Sequence, residues 1–273
     1  MDSGQTSTDL TAFSIATGAG PLVAAAIHDG HAIDPETLAH VALSESERLR
    51  EEDPYTARLT TVAPTRIVGH RSRFEVDLNR PSEGAVYLTP DDAWGLTVWK
   101  DKLPEAVVKR SMAIYDAFYA AVEEVVEKKI RENGAVVVYD LHSYNHRRQG
   151  PEGPVADAEA NPEVNIGTGS LDTERWGPLV ERFMADLREG AHLAGQPDLD
   201  VRENVKFQGG NFPTWAHRRF GTSACVIAVE FKKTFMNEWT GELDRDHFSR
   251  LQSALAHTVP GVLESLAATT VRQ

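Results

Sequence analysis

The stretch Ala135-Val136-Val137-Val138-Tyr139-Asp140-Leu141-His142-Ser143-Tyr144 decides how this chain is read. An unbroken run of small and β-branched apolar residues fits a strand buried on both faces, the signature of parallel sheet. The polar residues that follow put an imidazole, His142, at the strand's carboxyl end, the edge where ligands and catalytic groups collect in open α/β sheets.

Immediately before this strand, Val108, Met112, Tyr115, Tyr119, Val122 and Val126 recur at three- and four-residue steps. That spacing predicts a helix with one apolar face from about Pro104 to Asn133, closed by Gly134 as the residue past its end. Beyond the strand, residues 150–170 are rich in Pro, Gly, Asp, Glu and Asn and read as a long surface loop. Leu179, Val180, Phe183, Met184 and Leu187 predict a second helix over 172–189. Ser223–Phe231 reads as another buried strand, and 244–269 as a terminal helix interrupted or kinked at Pro260. On the amino-terminal side, Pro21–Ile27 reads as a strand. Asp34 followed by Pro35 marks the start of a helix reaching Arg50, and Arg66–Leu78 reads as one or two strands. Strands separated by helices of this length imply an α/β fold: a mostly parallel mixed sheet flanked by helices on both faces. The expectation is a single catalytic domain over residues 1–273, with residues 1–15 a flexible N-terminal segment.

The formal net charge of −13 over 273 residues disfavours sequence-independent nucleic-acid binding, which needs clustered cations. A local basic pocket for a small acidic ligand is still compatible with it. The polar start, Met1 to Asp9, lacks the cationic-then-apolar pattern of a signal peptide. No apolar run approaches the ~20 residues of a membrane helix, and the lone Cys225 excludes an internal disulfide. A cytoplasmic protein with no membrane and no nucleic-acid partner is expected, its oligomeric state open. Cys225, among apolar neighbours, reads as a core residue.

Three strand ends carry chemistry. The first runs into His28-Asp29-Gly30-His31, the middle one into His142, and the last into Glu230. Two imidazoles and an acid on one sheet edge suit a mononuclear hydrolytic zinc site. Such a site needs three protein ligands, an open position, and a separate carboxylate to move the water's proton. Each histidine alone fits a hydrogen-bonded structural role better than a ligand's; the repetition is what points to a site. Iron, cobalt or manganese would also suit two imidazoles and a carboxylate.

Asp140-Leu141-His142-Ser143-Tyr144 resembles the second-histidine motif of zinc carboxypeptidases. Val76-Asp77-Leu78-Asn79-Arg80 resembles the Asn-Arg pair with which those enzymes hold a terminal carboxylate. Together with His28-Asp29-Gly30, the run Ser72 to Pro81, and Glu230 followed by Met236-Asn237-Glu238, the pattern is most similar to the N-formylglutamate amidohydrolase family, from about residue 20 to 243. That family is a branch of the zinc-exopeptidase fold. The resemblance implies one zinc per chain held by His28 and His142, with Glu230 as general base and Arg80, helped by Asn79, clamping a substrate carboxylate. It leaves the third ligand among Asp53, Glu52 and His31, with Asp53 favoured by the alignment of Asp53 to Leu59. Arg73 is a candidate to polarise the scissile carbonyl. The competing readings are an Arg80–Asp77 ion pair, an exposed strand position for Arg73, and an acidic turn before Pro54.

The implied activity is zinc-dependent hydrolysis of an N-formyl or N-acyl amide on a small carboxylate-bearing amino acid such as N-formylglutamate. The alternatives are a metallocarboxypeptidase, a broader N-acylamino-acid deacylase, and an inactive carboxylate- or metal-binding homologue. His146-Arg147-Arg148 reads as pocket lining or as a solvated loop. Gly209-Gly210-Asn211 reads as a turn close to substrate or as a plain one. Trp94, Trp99, Trp215 and Trp239 read as packing residues, and at most one of Lys232 and Lys233 can face the site.

Overall fold

The computed structural model describes residues 12–271. Its strands are β1 (Phe13–Ala16), β2 (Leu22–Ala26), β3 (Thr65–Gly69), β4 (Val136–Tyr144), β5 (Val164–Gly167), β6 (Val201–Glu203) and β7 (Ala224–Lys232). Its α-helices are α1 (Pro35–His40), α2 (Glu45–Glu51), α3 (Thr56–Leu59), α4 (Glu105–Asn133), α5 (Thr173–Leu193), α6 (Asn211–Phe220) and α7 (Arg245–Val271).

The strands form one sheet in the order β1-β3-β2-β4-β7-β5-β6. The centre, β3-β2-β4-β7, is parallel, while β1 and β5 run antiparallel to their inner neighbours, so the sheet is mixed with a parallel core. Side-chain alternation assigns the two faces. Val137, Tyr139 and Leu141 of β4, with Cys225, Ile227 and Val229 of β7, pack among residues of α5 and α7 such as Phe183, Leu187, Leu251 and Leu255. Val136 and Val138, with Val226, pack among Tyr115, Phe118 and Val122 of α4 and Phe212 of α6. Every residue of β4 is buried, which accounts for its unbroken apolar run; a fully buried Val contributes about 1.5–3 kcal/mol. A third apolar cluster, around Phe74, Tyr87, Val98 and Trp99, lies in the segment between β3 and α4.

The structure revises several boundaries. Of the segment expected to be flexible, residues 1–11 lie outside the described residues. Phe13–Ala16, however, is a strand paired with β3, with Phe13 against the ring of Phe118. The helix expected over 35–50 is two helices. Asp34 caps the first, and Ser44 opens the second with a reciprocal capping box to Glu47, so the chain turns between them. In 66–78 only Thr65–Gly69 is strand. Ser72 to Leu78 is irregular, because its polar members Ser72, Glu75 and Asp77 are buried along with Phe74, Val76 and Leu78. The loop expected over 150–170 contains β5, whose pairing depends on β7 rather than on any local pattern. α7 continues through Pro260 without interruption. No helix among the described residues is long and apolar enough to cross a membrane.

Candidate active site

The three expected strand ends meet. His142 on β4 and Glu230 on β7 are in direct register, and Asn165 on β5 stands opposite Glu230, so the three side chains form a row across the sheet. His28 follows the neighbouring β2, and its ring centroid is 5.0 Å from that of His142. Asp53 joins them through its backbone: its N–H donates to the His28 carbonyl at 2.9 Å. The Asp53 carbonyl in turn accepts from the Thr56 hydroxyl at 2.7 Å. Tyr55, at φ 73°, makes the left-handed turn that carries the chain onward into α3.

Asp53 Oδ2 lies 3.0 Å from His142 Nδ1 and 3.5 Å from His28 Nδ1. The far nitrogens are held by other carboxylates: His28 Nε2 is 2.7 Å from Asp77 Oδ1, and His142 Nε2 is 3.0 Å from Asp140 Oδ1. Were a metal to replace the Nδ1 protons, the Nε2–H donated outward to Asp77 and Asp140 would be the arrangement by which carboxylates orient metal-binding histidines. His28, Asp53 and His142 are all buried, and one ligand atom from each lies within 4.8 Å of the others. The second oxygen, Asp53 Oδ1, is buried with no hydrogen-bond partner. A buried acceptor without a partner is costly, and a cation between the rings would satisfy it. The donor set, its spacing and this orphan oxygen therefore fit a metal ion.

Of the three candidates for the third position, only Asp53 reaches both rings. Glu52 accepts from the Ser72 hydroxyl and contacts His31 Nδ1, so these two residues engage each other away from the cluster. His31 is also turned toward Glu45 at 3.6 Å.

Glu230 opens onto a cavity of about 530 Å³, also lined by His28, Asp53, His142, Asn79 and Arg80. Among the described residues its carboxylate makes no hydrogen bond. Burial, reinforced by the charges of Asp53 and Asp140 and opposed by His142, pushes its pKa up to about 7. At Asp53, burial is outweighed by hydrogen bonds from His142 and His28, which hold the carboxyl below the usual range. At His142, Asp140 and Asp53 overcome burial and raise the imidazole's pKa.

Arg73 and Arg80 separate in role. The Arg73 guanidinium bonds Asp77 Oδ2 at 2.8 Å, the Glu51 carbonyl at 3.3 Å and the Tyr87 hydroxyl at 3.3 Å. Asp77 thus pairs with Arg73, not with Arg80, and Arg73 is neither an exposed strand residue nor a free cation. Arg80 forms no ion pair among the described residues. Its guanidinium carbon lies 5.8 Å from the rings of both Tyr87 and Trp94, and one N–H reaches the Asp92 carbonyl at 3.5 Å. Asn79 links this wall to the cluster. Its Nδ2 is 3.5 Å from His142 Nε2, and its Oδ1 accepts from the Phe212 N–H at 2.9 Å at the start of α6. A Cβ on Gly210 would collide with the Asn79 amide, so the Gly209-Gly210 turn is needed for close approach.

Sequence reasoning missed some of the lining. Trp94 is not a packing residue; it is 48% exposed and stands on the cavity wall with Arg73 4.8 Å over its ring. Trp99 and Trp215 do pack, the former giving its indole N–H to the Tyr87 carbonyl. Of the basic loop, Arg148 lines the cavity, whereas the backbone N–H groups of His146 and Arg147 bond Glu238. Lys233 lines it and Lys232 does not. Lys206 carried no usable signal, because its place depends on Asn165, far away in sequence.

The parallel-cored sheet and the donor cluster at its carboxyl edge define an α/β protein with a candidate metal centre. A family model described as N-formylglutamate amidohydrolase matches residues 20–236. The chain belongs to that family and is a hydrolase of amide bonds. No curated protein matches it. It is similar in fold to a solved N-formylglutamate amidohydrolase from Ralstonia eutropha JMP134, at TM-score 0.73 and 19% identity over 95% of this chain and 100% of that one. A gene product of Agrobacterium tumefaciens is also similar, at TM-score 0.63 and 17% identity over 96% of this chain and 97% of that one.

Proposed function

We propose that the chain is a zinc-dependent amidohydrolase that cleaves an N-formyl or N-acyl amide from a small carboxylate-bearing amino acid such as N-formylglutamate. The observation that carries this reading is the juxtaposition, in one cavity, of the His28–Asp53–His142 cluster, Glu230 and the unpaired Arg80. His28, Asp53 and His142 would hold zinc, which supplies Lewis-acid polarisation of an amide carbonyl and acidifies water. Arg80 meets the substrate carboxylate with a planar guanidinium, set beside the Tyr87 and Trp94 rings. Asn79 holds that wall against the start of α6, so the amide is oriented before attack. Glu230 takes a proton from the attacking water and returns it to the departing amine; a pKa near neutrality suits a group that must do both. Arg73 supports the site by fixing Asp77, and through it His28, rather than by meeting the carbonyl.

The test is to measure bound zinc and amine release from a panel of N-formyl and N-acyl amino acids, before and after chelation. About one zinc per chain, with activity lost on chelation and restored by zinc, is the expected result. A chain that binds no divalent ion and releases no amine would overturn the reading and favour an inactive binding protein.

A further inference from the structure

The cavity wall contains the cations Arg73, Arg80, Arg148, Lys206 and Lys233, and most are already committed. Arg73 is paired with Asp77 at 2.8 Å. Arg148 is paired with Glu51 at 3.2 Å and its side chain is 56% exposed. The Lys233 ammonium is fully buried and its three N–H groups are taken by the carbonyls of Arg50 and Glu52 and by Asn145 Oδ1, at 2.6, 2.7 and 3.0 Å. Among the described residues, Arg80 and Lys206 alone of this set lack both an ion pair and a saturated donor shell.

Lys206 is also held in place. Asn165, fully buried on β5 and in register with Glu230, accepts the backbone N–H of Lys206 at 2.8 Å and of Phe207 at 3.3 Å. Its own Nδ2–H donates to the Phe207 carbonyl at 2.8 Å. One strand-borne amide thus fixes the segment that carries Lys206. Its ammonium lies 5.3 Å from the Tyr144 ring centroid and 5.5 Å from that of Phe207, with a single side-chain hydrogen bond, to Asn161 Oδ1 at 2.5 Å. Burial and Arg148 weigh against its charge, and Glu230 favours it. In a chain of net charge −13, a pre-positioned cation in the cavity with no ion-pair partner among the described residues marks a place for an anion.

We infer that Lys206 is the specificity-determining residue that receives a second acidic group of the substrate, on the β5 side of Glu230, while Arg80 receives the first. This rests on the proposed amidohydrolase reading and assigns the residue that would recognise an acidic side chain. Arg80 and Lys206 come from different segments, one between β3 and α4, the other between β6 and α6.

The test compares wild type with Lys206→Met and Lys206→Arg, all zinc-loaded. The first readout is the ratio of kcat/KM on N-formylglutamate to that on N-formylglutamine. The second, independent of turnover, is calorimetric binding of glutarate against butyrate. A charge-assisted contact of this kind should give the wild type a preference of about 10- to 100-fold for the acidic member of each pair. Lys206→Met should remove most of that preference through KM, and Lys206→Arg should keep much of it. Preferences that stay within about twofold of wild type in Lys206→Met would overturn the assignment. So would equal losses on both substrates, since those would mean that Lys206 acts on Glu230 instead. If no amide is hydrolysed but the glutarate preference depends on Lys206, the anion site stands and the hydrolase reading fails. If amides are hydrolysed with no dependence on Lys206, the reverse holds.

Discussion

The two walls of the cavity are built by different physics. On one side, His142, Glu230 and Asn165 are placed by the β-ladder: register sets their spacing, and the apolar faces above and below hold the strands. On the other, Arg73, Asp77, Asn79, Arg80 and Trp94 lie on a segment with little regular structure between β3 and α4. There Asp77 is the organising group. It accepts from Arg73, the Tyr87 hydroxyl and the Asn79 N–H, and contacts His28 Nε2. Burial alone would raise its pKa, but Arg73 and His28 hold it well below the usual carboxylate range. A ladder-built wall tolerates a changed side chain because the backbone bonds remain. A wall built on one buried charge does not, because removing that charge strands the others.

The largest expected effect falls on chemistry at the ladder-built wall. Glu230→Gln should lower kcat by about 10²–10⁴-fold while zinc content and melting temperature stay near wild type. Steady-state kinetics paired with metal analysis checks this. Loss of fold in Glu230→Gln would break the contrast between the walls, and near-normal turnover would remove Glu230 from the mechanism.

Next comes Asp77→Ala. It leaves Arg73 buried without its partner and frees His28 Nε2. The expected cost is about 3–5 kcal/mol of stability, together with about 10–100-fold weaker metal binding. Denaturant unfolding and competition with a chelator measure the two separately. Destabilisation below about 1 kcal/mol would mean that this wall is held by its apolar cluster, around Phe74, Tyr87 and Trp99, rather than by Asp77.

Arg80→Lys should be milder, because it retains charge and loses only the planar fork and the aromatic stacking. KM on a carboxylate-bearing substrate is expected to rise about tenfold with stability unchanged. An unaltered KM would detach Arg80 from substrate binding.

The same contrast explains what could be read before folding. His28, His142 and Glu230 were legible because each ends an apolar run, and a polar residue there is conspicuous. Helices α4 and α5 were legible from their apolar stripes, although α5 runs to Leu193, beyond the last periodic residue. Alternation of Phe74, Val76 and Leu78 with Glu75 and Asp77 imitated a half-exposed strand, because polar residues buried in ion pairs look the same in sequence as exposed ones. β5 and β6 are four and three residues long, and short strands carry too little pattern to stand out from a polar loop. Lys206 was invisible for a related reason. Its place depends on Asn165, 41 residues earlier, and no local spacing encodes that bond.

The smallest effect concerns pH and the metal-free protein. Glu230 is raised in the folded state from 4.5 to about 7, so between those values the folded chain binds more protons than the unfolded one. Its contribution to stability is therefore present at low pH and lost as pH rises to about 7. His142 is raised above 6.5, so its contribution is complete below 6.5 and lost as pH climbs through its folded value. Asp53 and Asp77 are depressed, and their contributions are lost only as pH falls below about 4. In chelator, stability should therefore decline from pH 5 to pH 8, and Glu230→Gln should flatten the part below about pH 7. With zinc bound the slope should be offset or reversed, because the ligands must shed protons to take the ion. Thermal melts of both proteins across this range, with and without zinc, give the comparison. Parallel curves for wild type and Glu230→Gln in chelator would show that the fold does not absorb the titration of Glu230, leaving His142 as the source of any slope on the ladder-built wall.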